Sequence, residues 1–198
     1  MSLKTTTWKN RNIDNLELTR DFAIKRGMKE PSIVNFGPGG SVSFLANSLP
    51  GGRTVNLNSW NRFLRVFESF LRKSGLFRLK TNEPGEILRV FNPLMPQKII
   101  VFDREKKVIE AVQRLGDTGI INIPLETRVH DLLKGPTGAS GDIVVALNII
   151  SRTGDREKAL QTICHAVLPG GLLCVNIDDA PQGFTKLGHC LFVKETID

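Results

Sequence analysis

Between residues 98 and 177 the chain alternates short apolar runs with longer amphipathic ones, and this alternation constrains the fold more than any other feature. "KIIVFD" (98–103) reads as a strand, and "REKKVIEAVQRL" (104–115) as a helix carrying Val108, Ala111, Val112 and Leu115 on one face. "GIINI" (119–123) is expected to be the next strand. "DIVVALNI" (142–149) is apolar almost throughout, the pattern of a strand covered by helices on both sides. "DREKALQTICHAVL" (155–168) reads as a helix and "GLLCVNI" (171–177) as a strand, while "GFTKLGHCLFVKE" (183–195) reads as a closing hairpin with its turn near "KLG". Strand and helix in strict alternation predict a parallel, doubly wound α/β sheet.

The first half adds an opening unit. Residues 12–27 predict a helix stopped by Gly27, and "SIVNF" (32–36) a short strand that runs into the glycine cluster 37–40. "SVSFLANSL" (41–49) is expected to form a short helix ended by Pro50-Gly51-Gly52. Beyond it lies a segment of different character. "TVNLNS" (54–59) is strand-like, and "WNRFLRVFESFLRK" (60–73) is an amphipathic helix with a basic outer face. "LFRLK" (76–80) and "ILRVF" (87–91) are expected to pair as a hairpin around "TNEPGE". The reading is therefore a single domain, 1–198, with residues 53–96 inserted.

Charge singles out the same segment. The chain carries a formal +7, and residues 53–80 supply +6 of it, with seven basic side chains against Glu68. Arg62, Arg65, Arg72 and Lys73 make the segment a candidate lid or docking element for an anionic partner, RNA or a charged small molecule. The bland alternative is a helix and hairpin packed on the body, or on a second copy in a homodimer, with solvated arginines outside. No apolar run approaches the roughly 20 residues of a membrane helix, and "MSLKTTTWKNRN" lacks the apolar stretch of a secretory signal. Cys164, Cys174 and Cys190 have no CxxC spacing and suggest reduced thiols in a cytoplasmic setting.

Strand-to-glycine turns at the carboxyl edge of such a sheet are where ligands sit. In "NFGPGGS" (35–41), Gly37 and Gly39 are spaced as in a dinucleotide fingerprint, but Val42 stands where its third glycine would be. The acid expected about 20 residues later is also missing, as only Asn56 and Asn58 are there, so a nicotinamide cofactor is disfavoured.

Taken together, "IVNFGPGGS" (33–41), "KIIVFDREKKVIEAV" (98–112), "IINIPLE" (121–126) and "GDIVVALNII" with "DREKALQTICHAVLPGGLLCVNI" (141–177) resemble the class I S-adenosylmethionine-dependent methyltransferases. The resemblance covers roughly 12–52 and 97–195, with 141–177 its most specific stretch. It implies a Rossmann-like, mainly parallel seven-stranded sheet with an antiparallel last strand, and S-adenosylmethionine as cofactor. It also implies cofactor-binding roles for Asn35, Gly37 and Gly39 at the amino-acid end and for Asp103 at the ribose. Ile121 and Asn122 would lie beside the adenine, and Asn148 would face the reacting methyl group. Three positions depart from the family pattern: Asn35 replaces the acid that opens the loop, Ser41 its third glycine, and Asn122 the usual acid beside the adenine. By spacing alone, "TVNLNS" competes for the second strand, with Asn58 as the ribose residue; Asp103 is preferred because it supplies a charge.

Methyl transfer asks mainly for alignment of acceptor and methyl group, and His130, His165 and His189 give no clear base. The function expected is methyl transfer from S-adenosylmethionine to a small molecule or RNA, with a non-catalytic, methyltransferase-like binding or scaffold protein as the alternative.

Overall fold

The protein, a computed structural model, is described for residues 8–38, 41–44, 77–80, 83–147 and 149–196. Helix α1 (Trp8–Lys25) is followed by β1 (Ser32–Phe36), then β2 (Ser41–Phe44), β3 (Phe77–Lys80) and helix α2 (Glu83–Phe91). The chain continues through β4 (Lys98–Asp103), α3 (Lys106–Asp117), β5 (Leu125–Val129), β6 (Gly141–Ala146) and α4 (Arg156–His165). It closes with β7 (Val167–Val175), β8 (Phe184–Gly188) and β9 (Leu191–Lys194). Seven strands form one sheet in the order β5-β4-β1-β6-β7-β9-β8, and β2 pairs with β3 separately. Strands β5, β4, β1, β6 and β7 run parallel to one another; β9 is antiparallel to both β7 and β8. This is the doubly wound α/β class anticipated from the alternation.

The strand sequences explain the layering. Successive residues of a strand face opposite sides of the sheet. Ile33, Ile99, Val101, Ile143, Val145, Leu172 and Cys174 share one core cluster with Leu16, Ala23, Ile87, Val90, Phe91 and Val112 from α1, α2 and α3. Val34, Phe36, Ile100, Phe102, Val144, Ala146, Leu173 and Val175 share the other with Ala159 and Ile163 of α4. Central strands buried on both faces must be apolar at consecutive positions, and these are. Gly27 ends α1 as anticipated: it adopts φ +71°, and Met28 N–H donates to the Ala23 carbonyl at 3.0 Å.

Three local expectations are corrected. The apolar run 119–123 is not a strand. Gly119, at φ +72°, turns the chain out of α3, and Ile121 N–H donates to the Leu115 carbonyl at 3.1 Å. The Ile121 side chain thereby enters the core. The third strand is β5, "LETRV", whose place at the sheet edge lets alternate residues face water and hides it from an apolar search.

Residues 41–44 are extended, not helical, and pair antiparallel with β3 from Ser41↔Lys80 to Phe44↔Phe77. The partner of 77–80 is therefore β2, and "ILRVF" belongs to helix α2. Ile87, Val90 and Phe91 are buried at helical spacing, and Pro84 sits in the first turn, where its missing N–H costs nothing. Helix α2 packs on α1 and lies in the crossover from β1 to β4, so residues 83–91 are part of the body. The expected strand 54–59 and basic helix 60–73, with Arg62, Arg65, Arg72 and Lys73, lie outside the described residues.

Candidate functional site

Strand β1 sits between β4 and β6 with all three running parallel, so the connections leave its carboxyl end in opposite directions. In sheets of this type the crevice beyond that end receives ligands. The site is built from what the three strand ends carry.

Asn35 is fully buried near the end of β1, level with Val101 of β4 and Val145 of β6. Its Nδ2 donates to Glu83 Oε1 at 3.0 Å and lies 3.5 Å from the Val145 carbonyl oxygen. Among the described residues, its Oδ1 has no hydrogen-bond partner. Glu83 opens α2, and burial of its carboxyl raises its pKa from 4.5 to about 8. The Asn35 hydrogen bond and Arg152 oppose that rise, whereas Glu86 and Asp103 reinforce it. Sequence reading missed Glu83 because "TNEPGE" looks like a hairpin turn. The available signal was an acid followed by proline ahead of Ile87, Val90 and Phe91, the start of an amphipathic helix.

Gly37 takes φ +60°, and its N–H donates to the Phe102 carbonyl at 2.8 Å. A Cβ at this position would lie 2.3 Å from Ile149 Cδ1. The position therefore requires glycine for two reasons, backbone conformation and space. On that flank the space is filled by the protein's own Ile149. Gly39 and Asn148 lie outside the described residues.

Asp103 ends β4, the strand adjoining β1, and Asn58 lies outside the described residues. The residue is half-buried; its Oδ1 accepts from Glu105 N–H at 2.8 Å, and its carbonyl accepts from His130 N–H at 2.9 Å. These contacts hold the carboxylate where β4 meets α3. Beneath it Phe102 stacks on Phe36 at 5.2 Å and receives the edge of His130 at 6.1 Å.

The two residues anticipated beside the adenine part company. Asn122 is exposed. Ile121 is 4% exposed and spends its side chain on the core and its N–H on α3, so it offers no apolar wall. The exposed apolar residue of that turn is Ile120, at 60%, whose Cγ2 lies against Gly85 of α2.

The remaining chemistry is limited. Among the described residues no cluster of His, Cys, Asp and Glu could hold a metal ion. The three cysteines are free; burial pushes Cys164 up to about 11 and Cys174 up to about 12, so neither is a thiolate at neutral pH. No described helix is long and apolar enough to cross a membrane.

The strand order, with its antiparallel final pair, is a Rossmann-like, doubly wound arrangement. No protein-family model matches the chain. No curated protein matches it either. Similar solved structures include the N-methyltransferase NodS from Bradyrhizobium japonicum, with S-adenosyl-L-homocysteine bound. It has 13% identity and a TM-score of 0.48 over 84% of this chain and 60% of that one. The YcgJ protein from Bacillus subtilis has 14% identity and a TM-score of 0.46, covering 82% of this chain and 49% of that one. The sugar N-methyltransferase KedS8 from Streptoalloteichus has 15% identity and a TM-score of 0.47, covering 88% and 51%. The chain spans about half the length of these proteins.

Proposed function

We propose that the chain binds S-adenosylmethionine at the carboxyl edge of β1 and β4 and transfers its methyl group to a small-molecule or RNA acceptor. The observation that carries this reading is Asp103. A carboxylate ends the strand beside β1, in a sheet of this order, and is oriented by Glu105 N–H. Vicinal ribose hydroxyls offer two donors to such a group, a charge-assisted contact that a neutral amide makes less strongly. The turn at Gly37 and Gly39 would hold the amino-acid end, Asn122 would lie at the adenine, and Asn148 would face the methyl group. The cofactor supplies an already activated methyl on a sulfonium, so the chain's task is to hold the acceptor in line and keep water out. Arg62, Arg65, Arg72 and Lys73 would draw an anionic acceptor towards the site.

A second reading, a binding or scaffold protein without catalysis, is favoured by Ile149 filling the flank of Gly37 and by the amide at Asn35 in place of an acid. Calorimetric titration separates the two. Micromolar affinity for S-adenosylmethionine and S-adenosylhomocysteine, falling at least tenfold in Asp103→Ala, supports the cofactor reading. Absence of binding by the wild-type chain supports the other.

A further inference from the structure

Strand β5 ends the seven-stranded sheet on one side, and its main-chain groups sort into two sets. Ile99 N–H donates to the Pro124 carbonyl at 3.0 Å, and His130 N–H donates to the Asp103 carbonyl at 2.9 Å. These groups alternate sides along a strand, so the even-numbered residues from Pro124 to His130 face β4. Leu125, Thr127 and Val129 therefore direct their N–H and C=O groups outward. Among the described residues no strand pairs with that edge, and such a row is a template for a further strand.

The side chains decide which strand can be added. Leu125 packs on the core, Thr127 Oγ1 accepts from Gln113 Nε2 at 3.0 Å, and Val129 is exposed. Glu126 and Arg128 occupy the opposite face, paired with each other and half exposed, and Arg128 lies over the Phe102 ring at 5.8 Å. "LETRV" is thus self-complementary about its centre: reversed, it sets base against acid and apolar against apolar. An antiparallel copy related by a two-fold axis at Thr127 brings Thr127 opposite itself, Leu125 opposite Val129 and Glu126 opposite Arg128. The outward-facing residues are then the ones that exchange main-chain hydrogen bonds. Glu126 and Arg128 fall at the closer, non-hydrogen-bonded positions, where cross-strand side chains interact most strongly. Moving the axis by one residue either way puts two glutamates or two arginines face to face, which is destabilising.

We infer that the free edge of β5 is a self-association surface, on which a second copy of the chain adds its own β5 antiparallel in the register centred on Thr127. The contact is isologous, so it closes at two protomers and joins their sheets into one. It depends neither on the cofactor reading nor on the basic segment. A strand this short gives a small interface, so the dimer should dissociate on dilution.

Sedimentation velocity of the 198-residue chain from about 1 to about 500 μM tests this. The wild type should pass from monomer to dimer within that range. Glu126→Arg sets two bases opposite each other and Arg128→Glu two acids, so each should raise the dissociation constant about tenfold or more. Mixing the two reversed chains should restore a dimer, as should both reversals in one chain. On the wild type alone, the amides of Leu125, Thr127 and Val129 should exchange more slowly with solvent as concentration rises, a readout that needs no variant to fold. A wild type that stays monomeric overturns the inference. So does a dimer that both single reversals leave intact, or exchange at these amides that ignores concentration.

Discussion

Strands β1 and β6 lie side by side, and their two ends treat polar groups in opposite ways. At the amino edge, Ser32 N–H and Oγ both donate to Asp142 Oδ2, at 2.8 and 2.7 Å, and Asp142 N–H returns a bond to Ser32 Oγ at 3.2 Å. Each of these groups has its partner within the protein. At the carboxyl edge, Asn35 leaves an acceptor unpaired among the described residues, and partial burial suppresses the acidity of Glu83. The first is a clamp, complete in the folded chain. The second carries a cost to stability that folding alone does not repay, the usual mark of a binding site.

The largest effect should come where the backbone itself is committed. Gly37→Ala adds a Cβ to a left-handed residue and drives it into Ile149. Left-handed strain and overpacking together should cost about 3 kcal/mol in denaturant unfolding. A loss under about 1 kcal/mol would show that Ile149 yields readily and that the turn is softer than its contacts suggest. Next come the two edges in direct contrast. Asp142→Ala strands both Ser32 donors and should cost about 2 kcal/mol of stability. Asn35→Leu removes the unpaired acceptor together with the donor to Glu83 Oε1, so it should cost about 1 kcal/mol, less than Asp142→Ala, while weakening S-adenosylhomocysteine binding tenfold or more. Equal stability losses at the two edges would erase the contrast.

The pH dependence is smaller but has a definite sign. Glu83 binds its proton more tightly folded than unfolded, so its contribution to stability is fully present below about 4.5 and is lost as the pH rises towards 8. Thermal unfolding of Glu83→Gln should lack that decline, and a variant that tracks the wild type across this window would place the proton elsewhere. The smallest effect is expected from neutralising Arg62, Arg65 and Arg72 together, which should leave cofactor affinity unchanged. If the acceptor is RNA, the same change should flatten the salt dependence of its binding.

What was legible before the structure follows from these contacts. Strands β1, β4, β6 and β7 were readable because burial on both faces imposes unbroken apolar runs. Strand β5 was not, since an edge strand with "LETRV" satisfies only one face. The nearby run "GIINI" looked better as a strand but serves to pin the end of α3. Helix α2 was mistaken because five residues, "ILRVF", are too few to separate helical from extended periodicity, and the proline before them suggested a turn. Asp103 could be singled out because a charge at a strand end is a local pattern. The Asn35–Glu83 pair is not local, and no spacing rule links residues 48 apart; only the folded crossover from β1 to β4, with α2 packed on α1, brings them together.

The most direct test of the account is a crystal structure of the chain grown with S-adenosylhomocysteine. The ribose hydroxyls should lie within hydrogen-bond reach of the Asp103 carboxylate and the amino-acid end beside Asn35 and Gly37. A nucleoside bound with its sugar turned away from Asp103, or density confined to another face of the sheet, would contradict it.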